Sequence, residues 1–347
     1  MTASHETRSA CLIDGVPSWR HDLVGCLWTS AATLLEFHGV PALETLGAAW
    51  SFRHYPADLR REEYYYPCPP GVSLYEAIAP YHPVRSTWHE PADAAAGWAE
   101  VRAVVLTGRP VVVAADNYYL PFRPAYADVH TNHLVVVYGF DEAAGTVRVL
   151  DAVPPRFDGD ITLAELTAAR DSANPILHER DMFFTDRPIA NRWLDVEIDA
   201  AGFPPFDRDT VTETIRRNLA GFATGDGYTG LAGQTAYLAD VADRVEGGAE
   251  IYEELFLVAG AVLANTALHA DWLALAARRL DLPRLAEAGR RVERVAHHWT
   301  AVRIMGALTR DGRVSAARLR RRFAALRDDH ARVLADLDDA LTELAKG

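Results

Sequence analysis

Apolar positions change their period about half-way along the chain. In "DLVGCLWTSAATLLEFHGV", residues 22–40, Leu27, Ala31, Leu34 and Leu35 recur at helical spacing, which predicts a helix opened by Cys26 and stopped by Gly39. The next apolar runs are short and β-rich: "VRAVVL" at 101–106, "PVVVAA" at 110–115, "HLVVVYG" at 133–139 and "TVRVLD" at 146–151. A helix followed by strands is an α+β order. The run at 133–139 enters "FDEAAG" and returns as 146–151, the pattern of an antiparallel hairpin. With Gly139 set opposite Thr146, His133 falls across from about residue 152 and Asp151 lands beside it. Beyond "FFTDRPIANRWLDVEIDAAGFPPFDRD" (183–209), which reads as a proline-bearing connector, the pattern is helical almost throughout. It ends in the series Leu319, Phe323, Leu326, His330, Val333, Leu337, Leu341 and Leu344, which predicts one long amphipathic helix packed on others. The boundary is set near 195, giving an α+β domain over 1–194 and an all-α domain over 195–347.

Composition narrows the classes. At 347 residues the chain has room for two domains, and 49% apolar with 24% charged residues is ordinary globular usage. The longest apolar stretch, "LFLVAGAVLA" at 255–264, is too short to span a bilayer and reads as a buried helix. The charged N-terminus has no apolar signal core, so the expected location is the cytoplasm, with no membrane partner. Cys11, Cys26 and Cys68 show no zinc-type pairing and are expected as thiols. A formal net charge of −13 argues against nucleic acid as a general partner.

Chemistry concentrates at Cys26. A cysteine in the first turn of a helix sits at the electropositive end, where unpaired N–H groups and the macrodipole favour a thiolate. Its own amide can help hold an oxyanion, and Gly25 before it permits close approach. A nucleophilic thiol needs a base, and His133 at the start of a strand is the candidate, with Asp151 to orient it. Read singly, each is bland: a buried cysteine, a core histidine, a strand-ending aspartate. A competing reading gathers His130, His133, Asp128 and Cys26 as metal ligands, but without the usual ligand spacing. The loop "DNYYLPFRPAY" (116–126) either packs its aromatics inward or presents Asp116, Tyr118, Tyr119 and Arg123 as walls of a substrate pocket. "YYYPC" around Cys68 reads as a lid or as loop packing.

These residues are familiar together. "GCLWTSAATLLEFHG", "DNYYLPFRPAY" and "HTNHLVVVYGFDEAAGTVRVLDAV" resemble the family of butirosin biosynthesis protein H, and "GLAGQTAYLADVADR", "YEELFLVAGAVL" and "ERVAHHWTAVRIM" are similar to its second domain. The resemblance implies a papain-like cysteine-protease fold at the N-terminus and a helical C-terminal domain. Cys26, His133 and Asp151 match its triad positions. It further implies acyl transfer from an acyl or peptidyl carrier protein, through a cysteine-bound acyl intermediate, to an amine of a small-molecule acceptor in secondary-metabolite biosynthesis. No cofactor would be bound permanently; the phosphopantetheine arm would arrive with the donor. One departure stands out: papain-like enzymes carry a glutamine some six residues before the cysteine, where this chain has Arg20 and His21, so either of these or backbone amides alone would complete the oxyanion site.

Two alternatives keep different parts of this reading. A thioesterase or peptidase-like hydrolase would use the same triad with water as acceptor, and a catalytically silent scaffold would keep only the fold. The charge distribution bears on partners. Residues 278–327 hold 14 arginines against four acids, a net +10, leaving −23 for the rest. An acidic carrier would dock on such a basic surface, with Arg318, Arg320, Arg321 and Arg322 its densest cluster. Solvated helix faces are the plain alternative. The oligomeric state is left open, a homodimer included.

Overall fold

The computed structural model of the protein describes residues 8–54, 74–181, 185–225 and 227–344; the "YYYPCPPG" loop and Cys68 lie outside them. Strands are β1 (Ala10–Leu12), β2 (Val84–His89), β3 (Val111–Asp116), β4 (Asn132–Asp141), β5 (Thr146–Asp151), β6 (Phe157–Thr162) and β7 (Trp193–Ile198). Helices are α1 (Cys26–Phe37), α2 (Ala42–Leu46), α3 (Leu74–Ile78), α4 (Ala94–Leu106), α5 (Leu163–Arg170), α6 (Arg208–Ala223), α7 (Gly230–Glu246), α8 (Tyr252–Leu280), α9 (Pro283–Thr309) and α10 (Ala316–Leu344). The architecture is mixed helix and antiparallel sheet, an α+β class. Two compact units result, one from residues 1–40 with 85–198, the other from 41–84 with 199–347.

The first unit is built on a sheet of order β2-β7-β3-β4-β5-β6, with β1 paired to β4. Every residue of β3 and every residue of β4 up to Phe140 is buried, which requires cover on both faces. Helix α1 packs against β4 and β5, while α4 and α5 pack against β3. The hairpin forms between β4 and β5, closed by Asp141, whose carboxylate accepts the N–H groups of Ala143 and Ala144, and by Gly145 at φ 67°. Its register differs from the expected one. Gly139 faces Arg148 rather than Thr146, because β4 runs on until Asp141 pairs with Thr146 and the turn is shorter, and an irregularity between Val137 and Gly139 takes back one position. Val137 then pairs with Val149, so alternation puts His133, Val135 and Val137 on the same face as Val149 and Asp151.

Two other expectations are corrected. "VRAVVL" is the second half of α4, not a strand: Asp93 caps the helix by accepting the Ala96 N–H, and Gly97, Val101 and Val105 bury one helical face at steps of four. The 183–209 connector contains β7, where Val112 pairs with Leu194 and Val113 with Trp193, so the sheet runs through it. The stop at Gly39 appears as read, with φ 73° just after α1.

The second unit is helical, and α8 and α9 form its longest contact, joined through Asp281 in the left-handed region (φ 53°) and Pro283 in the first turn of α9. Its core also holds the extended segment 48–52. Asn218 bonds the Trp50 N–H and the Ala48 carbonyl, and Asn265 bonds the Ser51 N–H and the Ala49 carbonyl. Two asparagines thus supply partners that a neighbouring strand would otherwise give. Trp50 and Phe52 are buried among the helices, which is why 41–84 joins this unit while a linear cut near 195 assigns it to the first domain. On α10, Leu319, Phe323, Leu326, His330, Val333 and Leu337 form the buried seam that the spacing predicts. The apolar run 255–264 lies within α8, which is long and apolar enough by length and composition to cross a membrane; 78% of its most apolar window is buried inside the structure.

Candidate functional site

Cys26 is the first residue of α1 and is buried. Gly25, extended at φ −93° and ψ −171°, takes the N-cap position and offers no side-chain acceptor, so the opening N–H groups of the helix are left unserved by a cap. The groups that act on the Cys26 thiol are His133 and the Leu134 backbone N–H. His133 Nε2 lies 2.7 Å from Asp151 Oδ2, leaving Nδ1 as the ring nitrogen for the thiol. Asp151 is itself fully engaged. Its Oδ2 also accepts from Arg123 Nη1 at 3.0 Å, and its Oδ1 from the Val153 N–H at 2.9 Å.

Burial alone would raise the Cys26 thiol; the His133 charge, its hydrogen bond and the Leu134 N–H overcome this and hold it below its ordinary value. Burial likewise works against a charged His133, but Asp151 and the Cys26 thiolate push it up to about 9. For Asp151 burial is opposed by His133, then Arg123 and the Val153 N–H, which hold the carboxyl below its ordinary value. The shifts of Cys26 and His133 both favour the thiolate–imidazolium form of the pair, beside the Asp151 carboxylate. Such a thiolate can attack an electrophilic carbonyl, and the imidazolium beside it can protonate a leaving group.

Other residues singled out from the sequence are placed differently. Asp116 is a structural node, not a pocket wall: it is wholly buried and accepts from the Tyr118 and Thr131 N–H groups, His130 Nδ1 and the Ser172 hydroxyl. Tyr118 stacks on His130 with centroids 4.2 Å apart, and Tyr119 meets both rings edge-on, so the two tyrosines pack on that node. Arg123 turns to Asp151. Arg20 is exposed and ion-paired with Asp22, so its guanidinium is committed at the surface. His21 Nδ1 accepts the Leu23 N–H, which leaves Nε2 to carry the proton in the neutral ring. The four residues of the metal reading are divided: His130 pairs with Asp116, Asp128 with Arg180, and Cys26 with His133. A concavity of about 790 Å³ lined by Tyr138, Phe140 and Arg148 sits at the far end of β4 from His133.

The arginine cluster is also less uniform than its sequence. Arg320 bridges to Asp243 and Glu246 on α7, and Arg322 leans on His298. Arg318 and Arg321 stand exposed, with no acidic partner among the described residues. Elsewhere in 278–327, Arg279 meets Glu44, Arg291 meets Asp336 and Arg310 meets Glu250, so acids from outside the segment neutralise much of its charge.

Sequence reasoning missed the Leu134 N–H, the role of Arg123, and the Ser172 and Asp181 contacts. Asp181 accepts the N–H groups of His130, Leu177 and His178. Apart from the local bonds of Leu177 and His178, these links cross tens of residues without a local pattern to announce them.

A helix-led thiol set against a sheet-borne imidazole and carboxylate defines the class of site in this α+β unit. Residues 25–152 match the family model of butirosin biosynthesis protein H, N-terminal, a span that begins one residue before Cys26 and ends one after Asp151. Over that span, which is little more than a third of the chain, the sequence is similar to the butirosin biosynthesis protein H family. No curated protein matches the chain.

Proposed function

We propose that the first unit is a papain-like cysteine acyltransferase domain with Cys26 as nucleophile, His133 as acid and base, and Asp151 as the group that orients it. The observation that carries this reading is the single buried array in which His133 joins the Cys26 thiol to the Asp151 carboxylate, with Cys26 at the uncapped start of a helix. The Cys26 thiolate attacks the carbonyl carbon of a carrier-bound thioester, forming a new C–S bond. As the tetrahedral adduct collapses, the C–S bond to the donor breaks and the departing thiolate takes the His133 proton. An amine of the acceptor then attacks the acyl-cysteine, neutral His133 removes its proton, and the Cys26 thiolate is expelled as the amide forms. The open N–H groups at the start of α1 suit the oxyanion in both steps; with Arg20 committed to Asp22, they are the donors this reading favours, His21 Nε2 being the remaining side-chain candidate.

The donor is an acyl or peptidyl carrier protein bearing a phosphopantetheine arm, and the surface it meets is the start of α10, where Arg318 and Arg321 are exposed. Product analysis tests the reaction. With a thioester donor and an amine acceptor, the expected product is the amide, at a rate that follows acceptor concentration. Free acid released at a rate indifferent to the amine would assign the same array to a hydrolase.

A further inference from the structure

Arg123 lies in the loop between β3 and β4, and its surroundings are those of a built part rather than a surface cation. Its side chain is only 10% exposed. Its Nη1 donates to Asp151 Oδ2 at 3.0 Å and to the Val153 carbonyl at 3.1 Å, while its buried Nε has no partner among the described residues. The loop that carries it is fixed at both ends. Turn hydrogen bonds from the Arg123 N–H to Leu120 and from the Tyr126 N–H to Arg123 set its backbone, and the Asp116 node pins the loop's base to His130 and Ser172.

We propose that Arg123 is a positioning residue of the Cys26–His133–Asp151 array, acting through Asp151, whose carboxylate it holds in place and whose charge it divides with His133. This rests on the reading of the site given above. The two cations share one oxygen, Oδ2, so each weakens the carboxylate's hold on the other. Without Arg123, Asp151 would keep the Val153 N–H and His133, and its whole charge would fall on the imidazolium. The His133 proton would then be held more tightly and be harder to pass to a leaving thiolate. Arg123 thus keeps a buried ion pair firm in geometry yet moderate in proton affinity, which acid–base work near neutral pH requires. Among the described residues, the titratable and charged groups that act on one another in the array are Cys26 from α1, His133 from β4, Asp151 from β5 and Arg123 from the β3–β4 loop.

The test is the pH profile of Cys26 carboxymethylation by iodoacetate, read by mass on the Cys26 peptide of the full chain. An anionic reagent reports the thiolate while the imidazolium is still charged, so the profile has an acid limb and an alkaline limb, the latter near 9 in the wild type. In Arg123→Gln the alkaline limb should move upward by about one pH unit, since a nearby positive charge is lost. In Arg123→Lys, which keeps the charge, it should stay close to the wild-type position. A thermal midpoint for each variant separates misfolding from tuning. If Arg123→Gln does not fold, the lysine variant carries the test alone: a retained limb supports the proposal and a displaced one overturns it. An unmoved limb in folded Arg123→Gln, with only a uniform loss of rate, also overturns it while leaving the site reading intact. A wild type whose Cys26 shows no two-limbed profile overturns both.

Discussion

At the scale of residues, the account turns on three side chains that each lose something by burial and regain it from one another. Cys26→Ala removes the nucleophile and should leave less than about a tenth of wild-type transfer, while the thermal midpoint changes by only a few degrees. Asp151→Asn keeps the shape but removes the charge that holds His133 protonated, and transfer should fall by about a hundredfold or more. The pair also has a pH signature in stability. His133, raised from 6.5 to about 9, contributes fully below 6.5 and loses that contribution as pH rises through about 9; Cys26, held below its ordinary 9.0, loses its own as pH falls through its folded value. The two slopes oppose each other, so the difference in thermal midpoint between wild type and a Cys26→Ala, His133→Ala double variant should change less with pH than either shift alone would make it. The candidate residues were legible in sequence because each carries a local signal: a cysteine at a helix start, a histidine and an aspartate at the open end of a hairpin. Arg123 was legible only as a loop residue, since its partner lies 28 positions on and no periodicity links the two.

Elements place those residues, and α1 shows how stability and chemistry diverge. A Ser or Asp at the N-cap would stabilise the helix by about 1 kcal/mol, yet position 25 is glycine with no cap bond. Among the described residues a Cβ there would meet nothing within 4 Å, so they leave space for a side chain. Gly25→Asp should raise the thermal midpoint, by up to about 1 kcal/mol in stability, while slowing Cys26 alkylation and transfer, because a carboxylate would occupy the N–H groups and repel the thiolate. Equal or faster chemistry in that variant would remove the helix terminus from the mechanism. The helix and the hairpin were both readable from periodicity. The hairpin register was not, because an irregularity beside Gly139 leaves no compositional trace, yet Asp151 still reaches His133 since alternation keeps both on one face. "VRAVVL" misled through its β-branched residues, whose helical burial depends on α4 beginning seven residues earlier, at Ala94 after the Asp93 cap. The strand β7 was hidden among prolines and loop residues, although four of the six residues of its own run "WLDVEI" are apolar.

The whole molecule divides its charge and its chain between two units. The strongly basic segment is crossed by ion pairs to Glu44, Asp243, Glu246, Glu250 and Asp336, so linear charge counting overstated the bare surface; within its densest cluster Arg318 and Arg321 are the open part. Linear reading also could not see that 41–84 joins the helices, because only side chains such as Asn218 and Asn265 reveal that an extended segment threads their core. Arg318→Glu with Arg321→Glu should raise the apparent KM for an acyl-carrier donor and flatten its salt dependence, with a small acyl-cysteamine thioester reacting as before. Unchanged kinetics with both donors would remove α10 from docking. The central claim, that Cys26 takes up an acyl group, is tested most directly by intact mass after mixing the full chain with a panel of acyl-cysteamine thioesters. The account predicts a gain of one acyl group, mapped to Cys26, discharged by amine and missing in Cys26→Ala. An adduct that persists undiminished in Cys26→Ala would contradict it.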